Sequence, residues 1–422
     1  MCVLRGIWVA EDIRSLKPAF HRVARDPDSD FHGFVVIDSF VSGRGTGGVR
    51  CTEAVNLDEV ARLAREMTFK FAFLHLPSGG AKAGLVAPPG ISPEERLNHF
   101  HRFGEAIGDL IREGKYVGGQ DLGTSPADIE AIMSGAGVPV HPDSSESEID
   151  SNYFTALTVF TTAQALLEAR GQHLQNTSVL LEGLGKVGGH LIRLLRDAGA
   201  KVVGVSTLAG AIYNEKGFDV DDVLQARSES GDEFVTDFRH CEHLPSTELF
   251  LKPADLLIPG GGADSLNEQN VGRINARWIV PIANICASSE VEGKMYRSGI
   301  EFVPGFVSNS GGVFCWYLGR LTRDAREGII RDRFKARIGR LVQAADKSGR
   351  SIPDTARNIA HRNLMAAQRL ERGEPAARLV SLGHKLSPRR VGFAVGSKLF
   401  GRNWGRTSNL IVRSYFDARY FS

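Results

Sequence analysis

Apolar positions in the first third alternate between two periods. Phe34-Val35-Val36-Ile37-Asp38-Ser39-Phe40-Val41 is β-branched and aromatic, which predicts a strand within Phe31–Ser42. A glycine-rich turn, Gly43 to Gly48, follows. Leu57, Val60, Ala61, Ala64, Met67 and Phe71 then recur at helical spacing, with Asn56 as cap and Glu59 three residues on. This helix is expected to end near Leu76-Pro77-Ser78-Gly79-Gly80. Ser92-Pro93-Glu94-Glu95 predicts the start of another, with serine capping and proline in the first turn.

Beyond residue 150 the pattern changes. Helix Phe154–Arg170 leads to an apolar strand, Ser178–Glu182, then Gly183-Leu184-Gly185-Lys186-Val187-Gly188-Gly189, helix His190–Asp197 and strand Lys201–Ser206. Further short strands are predicted at Asp255–Ile258, Trp278–Val280 and Glu301–Val303, with helical stretches between them. Such alternation predicts a parallel, doubly wound sheet. From about 320 the chain reads as helical and charged.

Composition adds limits. At 422 residues the chain is long enough for two or three domains, and the acidic stretch His141–Asp150 reads as a solvated linker between the first two. Lys plus Arg number 51 and Asp plus Glu 49, so the balance gives no reason to expect a nucleic-acid partner. The segment Lys385–Ser422 is the exception, with eight Lys/Arg, the single acid Asp417 and several aromatics; such a tail suits RNA or a membrane surface, and the reading favoured over these is docking on a neighbouring subunit or the other domain. Five scattered cysteines with no CxxC pair indicate neither a metal site nor a disulfide framework. No run is long and apolar enough to span a membrane, so a cytoplasmic protein is expected. Glycine stands out at 47 residues, about 11% against the usual 7% or so, and the glycines cluster.

Three clusters carry chemistry. The GxGxxG run lies between a strand and a helix, where bare backbone lets a pyrophosphate approach the helix amides. The residues at the end of the next strand, Ser206 and Thr207, are neutral, so a carboxylate for the ribose hydroxyls is missing there and a 2′-phosphate is not repelled. Lys70 lies near the end of the first helix, and Lys82 sits within the turn Gly79-Gly80-Ala81-Lys82-Ala83-Gly84. Desolvation beside a second cation makes such a lysine a candidate base; the plain alternative is an exposed lysine on a turn. Asp121, in Gly118-Gly119-Gln120-Asp121-Leu122-Gly123-Thr124-Ser125, is either a turn residue or a carboxylate able to relay a proton.

In this order the clusters resemble the Glu/Leu/Phe/Val dehydrogenase family of amino-acid dehydrogenases, over roughly residues 30 to 320. Met67-Thr68-Phe69-Lys70 with Leu76-Pro77-Ser78-Gly79-Gly80-Ala81-Lys82-Ala83-Gly84 looks like the family signature. Gly47-Gly48-Val49-Arg50 resembles its glycine-glycine-arginine turn, and Gln120 to Ser125 the acidic motif of its leucine/phenylalanine branch. Thr155-Ala156 precedes the nucleotide-binding region as in the family, Ala283-Asn284 resembles its Gly-Ala-Asn turn near the nicotinamide, and Asn309-Ser310-Gly311-Gly312-Val313 resembles its Asn-Ala-Gly-Gly-Val segment that closes the cleft. The resemblance implies an α/β chain: a substrate-binding and oligomerisation domain (1–150), a Rossmann domain (151–320) and a helical C-terminal segment (321–422). It implies that Lys70, Gly47 and Gly48 bind substrate, Lys70 through its α-carboxylate. Lys82 would activate the attacking water, and Asp121 would exchange protons with the amino group. Gly183, Leu184, Gly185, Lys186, Val187, Gly188, Ser206, Thr207, Thr155 and Asn284 would hold NAD or NADP. The implied reaction is reversible oxidative deamination of an L-amino acid to the 2-oxo acid and ammonium, by a homo-oligomer.

Departures refine this. Thr46 stands where the glutamate branch places a lysine for the side-chain carboxylate, and Cys315-Trp316 where it places a helping serine. A second carboxylate would be buried unpaired, which is costly. Glutamate is therefore not expected as substrate; Phe314 and Trp316 point to an apolar or aromatic side chain. The family's Glu-Gly-Ala-Asn-x-Pro-Thr-Thr segment reads Pro281-Ile282-Ala283-Asn284-Ile285-Cys286-Ala287-Ser288 here. The alternative reading is a non-catalytic family member acting as a regulatory or scaffold subunit.

Overall fold

The computed structural model describes residues 17–25, 31–88, 90–139, 150–318 and 321–371. The acidic stretch before Asp150 and the basic aromatic tail lie outside them. The described residues form two units: 17–72, 77–139 and 361–371 make the first, and 73–76, 150–318 and 321–360 the second.

The first unit is built on a six-stranded sheet of β1 (Phe20–Arg25), β2 (His32–Ile37), β3 (Gly45–Thr46), β4 (Val49–Thr52), β5 (Gly79–Val86) and β6 (Tyr116–Val117). Strand β5 lies antiparallel to β2 on one side and parallel to β3 and β4 on the other. The glycine-flanked turn expected around Lys82 is thus a strand. Its small residues permit this: a Cβ on Gly80 would lie 2.0 Å from the Thr68 amide nitrogen, and one on Gly47 would lie 1.6 Å from the Ala81 carbonyl oxygen. Backbones pack here closer than any side chain allows.

Alternation along β5 sorts its side chains. Ala81 and Ala83 join Val35, Ile37, Phe100, Phe103 and Ile107 on one face. The other face carries Lys82, whose partner across the ladder is Val36. Val36 packs with Phe34, Val60 and Ala64, so this face is covered by helix α1 (Leu57–Phe73). Helices α2 (Pro93–Arg112) and α3 (Pro126–Gly135) supply the opposite layer, and both start with a serine capping box followed by proline.

In the second unit, α4 (Ser151–Ala169) precedes a seven-stranded sheet. Its strands are β7 (Ser178–Glu182), β8 (Lys201–Ser206), β9 (Ala211–Tyr213), β10 (Glu242–Leu244), β11 (Ala254–Ile258), β12 (Ala276–Ile279) and β13 (Glu301–Phe302), in the order β10-β9-β8-β7-β11-β12-β13. The run β8-β7-β11-β12-β13 is parallel, as the alternating pattern predicts. An antiparallel pair, β9 and β10, extends one edge. Helix α5 (Lys186–Asp197) starts four residues before the expected point, directly after the glycine turn, and α6 (Val220–Ser230) follows β9. Among the described residues no helix is long and apolar enough to cross a membrane.

Candidate active site

The first unit gathers Lys70, Lys82, Asp121 and Arg50. Lys70 sits in the last turn of α1 and is 5% exposed, while Lys82 on β5 is 3% exposed. Lys82 Nζ lies 3.0 Å from Asp121 Oδ2. Burial lowers the Lys70 ammonium to about 8, and the neighbouring Lys82 cation adds to the shift. Burial also lowers Lys82, against the pull of Asp121 and with the help of Arg50. Asp121 is held at about 2, because Lys82 and Arg50 outweigh its desolvation.

Asp121 is placed by backbone. Its loop runs along β4, with Val49 N–H donating to Gly119 and Cys51 N–H to Leu122. The Thr124 hydroxyl accepts from the Asp121 amide at 2.9 Å and lies 3.0 Å from the Val49 carbonyl. A Cβ on Gly48 would come within 2.9 Å of Asp121 Cβ, so this glycine lets the loop close on β4. Gly47 is fixed from the other side, where its carbonyl accepts from the Tyr116 hydroxyl at 3.0 Å.

Two charged residues here are absent from the sequence-level assignment. Arg50, 8% exposed, donates through Nε to Asp121 Oδ2 at 3.0 Å and through Nη1 to Glu59 Oε1 at 2.6 Å. Glu59 does take the Asn56 cap at its amide, but its carboxylate turns to Arg50. The available signal was the arginine of the Gly47-Gly48-Val49-Arg50 turn. Thr46 pairs its hydroxyl with Ser78 at 2.7 Å.

The glycine turn lies in the second unit. Gly183 follows β7 with φ +85°, and a Cβ on Gly188 would lie 2.1 Å from the Gly183 carbonyl oxygen. These two glycines let α5 start hard against the strand. A Cβ on Gly185 would meet nothing within 4 Å, and as N-cap Gly185 leaves the first turn without a side-chain cap. This is a cradle suited to a pyrophosphate. Leu184 and Lys186 border a groove of about 380 Å³, with Arg193, Arg227 and Ser228 also on its wall. Val187 lies in the first turn of α5. At the end of β8, Ser206 Oγ is buried without a hydrogen-bond partner among the described residues. The Thr207 hydroxyl donates to the Asp232 carbonyl at 2.7 Å. Arg227 pairs with the Asp232 carboxylate at 2.8 Å.

Two other expected cofactor residues are engaged within the protein. The Thr155 hydroxyl donates to the Ser151 carbonyl at 2.8 Å and accepts from Gly312 N–H at 3.1 Å. Asn284 Oδ1 accepts from Asn309 Nδ2 at 3.0 Å. A half-buried carboxylate that sequence reasoning missed, Glu182 at the end of β7, accepts from the Gly260 and Gly261 amides at 3.0 and 2.8 Å. It ties the carboxyl ends of β7 and β11 together at the point where strand order reverses. Phe314 is fully buried, whereas Trp316 is 54% exposed.

Comparison with known proteins agrees with this arrangement. Residues 19–136 match the dimerisation domain of Glu/Leu/Phe/Val dehydrogenases, and residues 148–371 match the Glutamate/Leucine/Phenylalanine/Valine dehydrogenase model. An NADP-specific glutamate dehydrogenase from Synechocystis is 30% identical over 332 residues, covering 73% of this chain and 77% of that protein. Among solved structures, the Leu-bound hetero-hexameric glutamate dehydrogenase of Thermus thermophilus is 27% identical with a TM-score of 0.71, over 84% of this chain and 90% of that one. The L-tryptophan dehydrogenase of Nostoc punctiforme, 20% identical, shares the fold with a TM-score of 0.60, over 85% of this chain and 98% of that one. The chain therefore belongs to the Glutamate/Leucine/Phenylalanine/Valine dehydrogenase family of amino-acid dehydrogenases.

Proposed function

We propose that the protein reversibly deaminates an apolar or aromatic L-amino acid, with NAD or NADP as oxidant. The observation that carries this reading is the Lys82–Asp121 ion pair at 3.0 Å, together with Lys70, whose ammonium is lowered by its burial and by the Lys82 cation. Lys70 binds the substrate's α-carboxylate, because a desolvated cation attracts an anion more strongly than a solvated one. Asp121, ionised at neutral pH, takes a proton from the substrate ammonium. When bound, NAD(P) supplies the acceptor for the hydride of the substrate's Cα–H bond. Lys82 as a neutral amine then takes a proton from the water that adds to the imine carbon, and its ammonium stabilises the negative charge developing there. Loss of ammonia leaves the 2-oxo acid.

Side-chain preference rests on Thr46. Its hydroxyl pairs with Ser78, so this position offers a hydroxyl and not a cation to a second carboxylate. Of the two aromatic candidates, Phe314 packs with Phe334 in the core, which leaves Trp316 as the exposed one. For the cofactor, Gly183, Leu184, Gly185, Lys186, Val187 and Gly188 would receive the pyrophosphate. Ser206 and Thr207 bring no carboxylate, and the Lys186, Arg193 and Arg227 cations on the groove wall suit a 2′-phosphate. Reduced-nicotinamide absorbance across all protein amino acids and both cofactors tests the reading, with Lys82→Ala as control. Turnover of leucine, phenylalanine or tryptophan above glutamate is expected; faster turnover of glutamate overturns the side-chain preference.

A further inference from the structure

The two oxygens of Asp121 are not equivalent. Oδ2 meets both Lys82 Nζ and Arg50 Nε, each at 3.0 Å. Both cations are thus held on one oxygen of the carboxylate. Arg50 is itself clamped from behind, since Nη1 donates to Glu59 Oε1 at 2.6 Å. The planar guanidinium thus bridges two carboxylates, one on the first turn of α1 and one in the loop that runs along β4. A lysine ammonium, a point charge on a flexible stem, lacks that two-sided geometry.

We propose that Arg50, braced by Glu59, is a positioning residue that anchors Asp121 through Oδ2, so that Oδ1 faces the substrate's amino group and Lys82 is released from a closed ion pair. The proposal rests on the roles given above to Lys82 and Asp121. Left alone, a buried lysine–aspartate pair holds its proton on the lysine, because each charge stabilises the other. A second cation on the same oxygen shares the negative charge and repels the ammonium, which favours the neutral amine that deamination needs. Other groups act on this site as well. Lys70 and Glu66 lie on α1 with Glu59, and Tyr116 approaches from β6. Glu59 favours the Lys82 ammonium and Arg50 opposes it, so the two make opposite contributions.

The opposition supplies the test. Lys82 is followed by NMR of isotope-labelled lysine in the full chain, assigned with Lys82→Arg, beside the pH profile of kcat/KM. Arg50→Met is expected to raise the Lys82 titration midpoint by about one unit and to move the acid limb of activity with it. It is also expected to lower kcat about 100-fold with less than about threefold change in KM. Glu59→Gln keeps the acceptor, removes the charge, and is expected to move the midpoint downward. Arg50→Lys keeps the charge and loses the bridge, so the midpoint stays near wild type while kcat falls. An Arg50→Met protein whose rate drops equally at every pH, with Lys82 unmoved, overturns the proposal, as does one with wild-type kcat. If Arg50→Met does not fold, an unmoved midpoint in Glu59→Gln together with wild-type kcat in Arg50→Lys overturns it. A wild type that deaminates no amino acid counts against the proposed function, while the NMR titrations still decide whether Arg50 governs Lys82.

Discussion

A lysine with a depressed ammonium is useful only over part of the pH range, and the two buried lysines use opposite parts of it. Lys70 must keep its proton to hold a carboxylate, whereas Lys82 must lose its own to act as a base. With Lys70 at about 8, kcat/KM is predicted to fall as pH rises through 8. Lys70→Arg, whose guanidinium stays charged, is predicted to abolish that alkaline limb; a limb that persists in the variant assigns it elsewhere. The same depression has a sign for stability. The unfolded chain binds more protons than the folded one between about 8 and the ordinary lysine value of 10.5, so stability rises with pH in that window. Urea midpoints are predicted to show wild type gaining on Lys70→Met across it. Lys82→Ala removes the base and is predicted to cost about 10³-fold in kcat with little loss of cofactor affinity, which fluorescence titration measures. Lys82 and Asp121 stand out in the sequence because glycines crowd the segments that carry them. Arg50 and Glu59 do not, because their pairing crosses from β4 to α1 and leaves no local pattern.

Elements with a local period are legible in the sequence. The residues of α1 and of the strands Ser178–Glu182 and Lys201–Ser206 fall where their apolar spacing puts them. Strand β5 is not legible, because Gly-Gly-Ala-Lys-Ala-Gly lacks the branched and aromatic residues that mark strands. It becomes a strand because β2, β3 and β4 all pair with it and α1 packs against its bare backbone. Gly80→Ala is therefore predicted to destabilise the protein by about 3 kcal/mol or more, seen as a lower urea midpoint, since the added carbon meets backbone that cannot give way. The β9–β10 pair is equally hidden, because α6 separates its two short strands. Where α5 and α6 meet, the groove wall carries Lys186, Arg193 and Arg227, the last of them paired with Asp232. Lys186→Ala with Arg227→Ala is predicted to weaken NADP binding at least about tenfold more than NAD binding by fluorescence titration. Equal losses would remove the 2′-phosphate from the account.

At the scale of the molecule, the doubly wound sheet of the second unit follows directly from strand–helix alternation. That the chain after His361 belongs with the first unit does not, because helix Ile352–Glu371 reads as one continuous amphipathic stretch. Its Asn363 side chain donates to the Ala72 carbonyl at the end of α1, 3.0 Å away, a long-range bond with no sequence signature. The first unit matches a dimerisation domain, and sedimentation is predicted to show a species larger than the 45.9 kDa monomer. The central claim is that the Lys82–Asp121 pair carries the deamination of amino acids. Its most direct measurement is reduced-nicotinamide formation by the purified protein, with each amino acid and each cofactor, beside Lys82→Ala. Turnover of an apolar or aromatic amino acid that is lost in the variant is the predicted result; equal inactivity of both proteins across the whole panel would contradict it.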